Sequence, residues 1–244
     1  MRNWPLPQLR ATTHRVELRW PSQEDLDELA TRAAEGVHDP AEMPFFSEWT
    51  DGDPDTVARR VLQRHWSAAA TWTPDDWTLY MVVVHDGLVV GSQSIGARAF
   101  SQLREVQLTS WLGRQFQGQG IGTHARAAML ALAFDGLRAE FALSVVQRSN
   151  VRSQGVIRRF GFASDGVQAN VVRGRRVVSD RYRLDRATWE SNAARIPVTV
   201  EGVGACMHLF EGDSRPQVER PPPAASAASF SGIQLAAESD QAAD

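Results

Sequence analysis

The run Trp111-Leu112-Gly113-Arg114-Gln115-Phe116-Gln117-Gly118-Gln119-Gly120-Ile121-Gly122-Thr123 constrains the chain more than any other stretch. An apolar segment from Glu105 to Leu112 enters it and reads as a strand. A helical pattern leaves it: Ile121, Ala125, Ala128, Met129 and Leu132 recur at the spacing of one helix face, and Gly136 closes the pattern. A glycine-rich turn thus joins a strand to the start of a helix. Backbone N–H groups there have no intrahelical partner, and the helix dipole turns its positive end outward. Such a turn takes phosphate or pyrophosphate without needing a cationic side chain.

Several ligand patterns compete for it. A Walker loop needs Gly-Lys-Ser/Thr, and the chain contains no lysine. A dinucleotide fingerprint needs a third glycine where Thr123 stands. An acyl-coenzyme A pattern (Arg or Gln, two residues, Gly, one residue, Gly or Ala) fits at Gln115, Gly118 and Gly120. The plain alternative is a tight turn whose glycines only supply positive φ.

The rest of the chain bounds the problem. Its 244 residues suffice for one domain with additions, and a net charge of −3 gives no global pull toward nucleic acid or a membrane surface. The single Cys206 excludes an internal disulfide framework. The start, Met1 to Pro7, lacks the apolar core of a secretory signal, so a cytoplasmic location is the expectation. The six histidines show no metal-ligand spacing, so no metal is expected.

Read in order, residues 1–12 form an arm. A strand from His14 to Trp20 follows, then a helix capped by Ser22 that runs to about Ala34. A loop rich in acids and aromatics leads to a second helix, Pro54 to Ala70, capped by Asp53. Trp77–His85 and Leu88–Ala97 make a hairpin about Asp86-Gly87, and Leu103–Leu112 enters the glycine loop. After the loop helix come a strand from Glu140 to Val146, a helix from Asn150 to Phe160, a hairpin about Arg173-Gly174 and a short helix from Arg186. The apolar 193–211 segment is expected to pack on the domain and to add one or two strands. The Pro/Ala/Ser-rich 212–244 segment reads as a disordered tail.

Downstream of the loop helix stands Ser149-Asn150-Val151-Arg152-Ser153, followed by Phe160-Gly161-Phe162. With the Thr13-His14-Arg15-Val16-Glu17-Leu18-Arg19 opening and Gln115 to Gly120, these motifs make residues 13–192 resemble the GNAT superfamily of N-acetyltransferases. The closer likeness is to its RimJ/RimL-like branch. The resemblance implies an α+β fold: a central, mixed, mostly antiparallel twisted sheet flanked by helices. It implies acetyl-CoA as cofactor and an amine acceptor, either a small molecule or a protein N-terminus. A monomer or homodimer that binds neither nucleic acid nor membrane is expected. An acyl-CoA sensor without turnover is the alternative on the same fold.

The site residues follow. The expected cofactor set is Leu112, Arg114, Gln115, Gln117, Gly118, Gln119, Gly120, Ile121, Gly122, Thr123, Asn150 and Ser153. Within it the backbone N–H groups of Gln117 to Thr123 meet the pyrophosphate, and Arg114 helps with the ribose phosphate. Asn150 sits where a helix cap belongs, and by resemblance also bonds the pantetheine arm. Ser153 by resemblance donates to the departing sulfur; its plain role is a local bond in the first helical turn. A backbone N–H near Ser110 to Leu112 polarises the thioester carbonyl. Glu105, the carboxylate on the strand entering the loop, is positioned by the period of two with Gln107, Thr109 and Trp111. It is the candidate base, the alternative being a solvent-facing strand glutamate. The acceptor wall is read from Phe45, Phe46 and Trp49, set among Asp39, Glu42, Glu48, Asp51, Asp53 and Asp55, acids that would attract a cationic amine.

Overall fold

The computed structural model describes residues 2–193 and 195–212. The tail expected from residue 212 onward therefore lies outside the described residues, apart from Gly212.

The described residues form one nine-stranded sheet. Its strands are β1 (Arg10–Thr12), β2 (Glu17–Arg19), β3 (Asp76–His85), β4 (Leu88–Arg98), β5 (Glu105–Leu112), β6 (Phe141–Gln147), β7 (Ala163–Val172), β8 (Arg175–Asp185) and β9 (Thr199–Glu201). Their order across the sheet is β7-β8-β6-β5-β4-β3-β2-β1-β9. All neighbours are antiparallel except β5 and β6.

That exception makes the site. β5 and β6 pair in parallel only at Glu105–Phe141, Val106–Ala142 and Gln107–Leu143. Beyond those pairs β5 stays with β4 as far as Leu112–Gly91, and β6 stays with β8 as far as Gln147–Ser179. Each strand keeps its other neighbour, so the two part and leave a wedge between them.

Helices cover both faces. α1 (Gln23–Ala34) begins with a capping box. The Ser22 hydroxyl accepts from the Asp25 N–H at 3.1 Å, and the Asp25 carboxylate accepts from the Ser22 N–H at 3.0 Å. α2 (Pro54–Ala70) is capped by Asp53, which accepts from the Thr56 N–H at 2.9 Å. Leu29, Ala30 and Ala33 of α1 and Val57 and Val61 of α2 pack with Val82, Val84 and Val89 of the sheet.

After the short α3 (Phe100–Leu103), α4 (Ile121–Ala131) lies on the opposite face and continues into one wider π turn, Leu132–Gly136. A one-sided amphipathic helix was the expectation for this segment. Instead every residue from Ala125 to Phe134 is buried, because β1, β2, β4, β9 and α5 all pack around a helix made largely of alanine. α5 (Val151–Arg159) and α6 (Arg186–Ser191) complete that side.

The ends of the domain differ from the reading in order. The described residues of the 1–12 arm are ordered against the sheet: Leu6 and Leu9 are fully buried, and β1 is inserted between β2 and β9. The described part of the 193–211 segment adds one strand, of the one or two expected, and also a helix, α7 (Val203–Glu211). Cys206 and Phe210 recur at helical spacing, and Phe210 packs edge-on against the stacked Trp72 and Trp77, at 5.3 and 4.8 Å. The Trp72 indole N–H donates to the Leu209 carbonyl at 2.8 Å, and Arg104 pairs with Glu211.

Candidate active site

The glycine loop leaves β5 at the open end of the wedge. Gly118 and Gly120 take φ of +78° and +81°, which other residues rarely adopt. Among the described residues, the N–H groups of the five residues Gly118 to Gly122 have no hydrogen-bond partner; pairing resumes where Thr123 and His124 donate to the Gly120 carbonyl. A Cβ built on Gly118 would meet nothing within 4 Å, so the space above this peptide is open. Unpaired donors around a helix start, in open space, fit a pyrophosphate.

Side chains brace the loop. The Gln117 amide donates to the carbonyls of Val37 (2.6 Å) and Leu112 (2.9 Å), and its oxygen accepts from Arg152 at 2.9 Å. Gln119 donates to the Gln115 carbonyl at 2.7 Å, while Arg15 donates to the Gln119 carbonyl at 2.8 Å. Arg114 faces Asp39 at 3.8 Å, with both side chains more than half exposed. Ile121 is fully buried in the core.

Two cavities meet at the wedge. The larger, about 870 Å³, is bordered by Leu112, Arg114, Gln117, Gly118, Gly120, Gly122, Thr123 and the start of α5. Of the expected cofactor residues, Gln115, Gln119 and Ile121 do not border it; Gln119 donates to the Gln115 carbonyl and Ile121 anchors the helix start in the core. The smaller cavity, about 280 Å³, is walled by Phe45, Phe46, Trp49, His65, Tyr80, Trp111 and a row of hydroxyls. Ser110, Trp111, Arg126, Asn150 and Ser153 border both. Asn150 caps α5, its side chain accepting from the Ser153 N–H at 3.1 Å. This places Ser153 in the first turn, at the junction.

The strand supplies donors as well. The Gly113 N–H is bonded to the Val90 carbonyl at 2.9 Å, so donors toward β4 fall on odd-numbered residues. By alternation the N–H groups of Ser110 and Leu112 point away from β4, into the wedge. Side chains alternate across the sheet. Thr109 and Trp111, opposite Ser94 and Ser92, face α1 and α2; Ser110, opposite Gln93, faces α4. The smaller cavity therefore passes through the sheet, from Trp49 and Trp111 to Arg126 on α4.

Not every expected residue comes to the site. Glu105, read as the base, lies at the closed end of the wedge, where β5 still pairs with β6, and it borders neither cavity. Its carboxylate is held by Arg183 at 2.8 Å. The lining residues of β5 begin only at Leu108. The acids of the 39–55 loop also turn elsewhere: Asp51 and Glu48 fasten Arg173, Asp53 caps α2, and only Asp39 and Glu42 border the larger cavity. The aromatics do face inward, with Trp49 between Phe45 (5.1 Å) and Trp111 (5.5 Å). Among the described residues no carboxylate lines the smaller cavity.

Two residues there were not singled out by the sequence for chemistry. His65 is buried, with its ring 5.0 Å from Tyr80. Burial, and then the nearby Arg64, lower its pKa from 6.5 to about 4, so the imidazole is neutral at neutral pH. Arg126 is 5% exposed. Burial lowers its pKa to about 10, which leaves it charged. Its Nη2 donates to the Ser110 hydroxyl at 3.0 Å, and its Nη1 has no partner. The available signal was an arginine in the middle of an alanine-rich buried helix.

A parallel pair that splays into a wedge, with an anion-binding loop at its mouth, defines an acyl-coenzyme A transferase type of site. The comparisons agree. The acetyltransferase (GNAT) domain model matches residues 15–163, and the chain belongs to that family of N-acetyltransferases, whose acetyl donor is acetyl-CoA. Solved structures share the fold. Mycobacterium smegmatis RimJ in complex with CoA-disulfide is 21% identical, at TM-score 0.64, over 78% of this chain and 93% of that one. A putative ribosomal-protein-serine acetyltransferase from Vibrio cholerae is 20% identical, at TM-score 0.57, over 73% and 98%. Ribosomal-protein-S5-alanine acetyltransferase from Vibrio fischeri is 17% identical, at TM-score 0.58, over 74% and 98%. Among the described residues no helix is long and apolar enough to cross a membrane, and no cluster of potential metal ligands occurs.

Proposed function

We propose that the protein moves the acetyl group of acetyl-CoA to a primary amine, on a small molecule or a protein N-terminus, by direct attack in a ternary complex. The observation that carries this reading is the shared border of the two cavities: Ser110, Trp111, Asn150 and Ser153 stand between the phosphate loop and the aromatic cavity. The larger cavity takes the cofactor and the smaller one the acceptor. A protein acceptor is suggested by the Vibrio neighbours, a putative ribosomal-protein-serine acetyltransferase and a ribosomal-protein-S5-alanine acetyltransferase.

In this reading the loop N–H groups hold the phosphates and the wedge N–H groups of Ser110 and Leu112 draw charge onto the thioester carbonyl. The amine nitrogen bonds to the carbonyl carbon, the carbon–sulfur bond breaks, and the Ser153 hydroxyl donates toward the departing sulfur. The acceptor cavity carries cations and no carboxylate, so it favours an amine that has already lost its proton. The proton that the attacking nitrogen sheds leaves through water toward solvent or the departing thiolate; the neutral His65, with a pKa of about 4, can relay it and does not hold it.

Release of free thiol from acetyl-CoA with a panel of amines, with mass spectrometry of the products, tests the reading. Intersecting initial-rate lines are expected, and kcat/KM should rise with pH up to the pKa of the amine. Parallel lines, or tight coenzyme A binding with no amine acetylated, would overturn it; the latter is the behaviour of an acyl-CoA sensor.

A further inference from the structure

Arg126 is a buried cation that lacks a counter-charge. It is 5% exposed, its one side-chain hydrogen bond goes to the neutral Ser110, and its Nη1 is unpartnered. No carboxylate pairs with it among the described residues; every other buried or half-buried arginine of the core strands and helices named above has an acid or a carbonyl to bond. Gln93, across from Ser110, has its own unpartnered buried Oε1. A bond between the two would satisfy the donor but leave the charge. Isolated buried charge is costly, and it persists where a ligand completes it.

The position says where that ligand lies. Arg126 borders both cavities, on the α4 side of their junction, while the exposed Arg64 borders only the smaller one, over the Trp49 ring at 5.8 Å. Among the described residues, the smaller cavity is thus bordered by two arginines, a row of hydroxyls and no acid. A cationic acceptor without an anion would be repelled along its whole length. About 280 Å³ suits a molecule of amino-acid size.

We propose that Arg126 receives a carboxylate of the acceptor, so that the amine acetylated here belongs to a small amino-acid-like molecule or terminus that carries a carboxylate. The proposal rests on the acetyl-transfer reading above and narrows its acceptor. The planar guanidinium offers a fork of donors to a carboxylate, which orients the molecule and leaves its amine toward Ser153 and the wedge.

The test is a matched panel: L-amino acids of each side-chain class against their α-amides, and N-terminal Asp and Glu dipeptide amides against their Asn and Gln counterparts. All are assayed by thiol release with acetyl-CoA. Wild type should prefer at least one carboxylate-bearing member of a pair by about 10²-fold in kcat/KM, the scale on which a site built for a polar group rejects its absence. Arg126→Met should bring that ratio near one, and Arg126→Lys should keep part of it. Circular dichroism and coenzyme A affinity confirm that each variant is folded.

Equal use of acid and amide by wild type, or an unchanged preference in Arg126→Met, overturns the inference and leaves acetyl transfer standing. A parallel arm compares succinyl-CoA with acetyl-CoA. A strong wild-type preference for succinyl-CoA that Arg126→Met abolishes would place the carboxylate on the acyl group and overturn the acceptor assignment. If no amine turns over, the acetyl-transfer reading fails. Calorimetry of the same amino acids against coenzyme A-loaded wild type and Arg126→Met then decides the carboxylate site separately, and equal binding or none overturns it.

Discussion

His65 gives the sharpest quantitative prediction. The ring lies in the smaller cavity with its pKa lowered from 6.5 to about 4, chiefly by burial and secondarily by Arg64. An unfolded chain binds a proton at His65 below about pH 6.5, whereas the folded chain resists it until about pH 4. Stability from this residue is therefore fully present above pH 6.5 and is lost as pH falls toward 4. Over the gap from 6.5 to about 4, at about 1.4 kcal/mol per pH unit, the loss comes to about 3 kcal/mol. For a domain of this size that is roughly 6–12 °C in Tm. His65→Phe keeps a ring against Tyr80, forfeits no hydrogen bond, and carries no titrating group. The assay is urea unfolding of wild type and variant at half-unit steps from pH 7.5 to 4. Differencing the two curves removes every group the two proteins share, including His124, whose pKa burial lowers in both. Wild type should lose about 3 kcal/mol more than the variant across the window. Parallel curves would refute the reasoning and show that water already reaches the imidazole well enough to charge it.

Four further outcomes are expected. Gly118→Val and Gly120→Val should abolish coenzyme A binding in calorimetry while leaving the fold intact, because a side chain would occupy the approach to the unpaired N–H groups. Ser153→Ala should lower kcat by about 10²-fold with coenzyme A affinity nearly unchanged, since a donor to the leaving sulfur strengthens only as charge builds there; an equal loss in affinity would make the residue a plain binding contact. Glu105→Gln should keep the wild-type pH–rate profile and cost no more than about 1 kcal/mol in urea unfolding, as its half-exposed pair with Arg183 is structural; loss of rate restored at high pH would return it to the chemistry. Gly202→Ala should destabilise by at least about 2 kcal/mol, because the position has φ of +80° and its Cβ would stand 2.2 Å from the Gln8 carbonyl oxygen.

What the sequence could reveal was what is local. The loop, the Ser22, Asp53 and Asn150 caps and the Asp86-Gly87 turn are each fixed by residues a few positions apart, and their structural positions are those read from the chain. Glu105 shows where such reading stops. Alternation correctly gave it a face with Thr109 and Trp111, yet a face is not a site: where along β5 the cavity starts depends on where β6 leaves, and that is set by the partner strands β4 and β8. The acidic loop shows the same limit. Its composition suggested attraction for a cation, but Arg173, from a hairpin 122 residues away, fastens Asp51.

The two cations of the acceptor cavity were the least legible of all, and for the same reason. Arg64 and Arg126 come from helices on opposite faces of the sheet, and neither belongs to any short motif. Only the splay of β5 from β6 lets one cavity reach both. That geometry also changes the electrostatics inferred for the acceptor. Acids at the door would gather ammonium ions and leave the enzyme to remove their proton. In the proposed reading, a buried Arg126 and an exposed Arg64 at the border, with no carboxylate among the described lining residues, do the reverse: they disfavour the ammonium form, lower the proton affinity of a bound amine, and favour an acceptor whose own anion answers Arg126. The absence of a carboxylate base from the cavity is then part of how the amine is made reactive, because the surroundings that hold His65 neutral act in the same direction on the nucleophile.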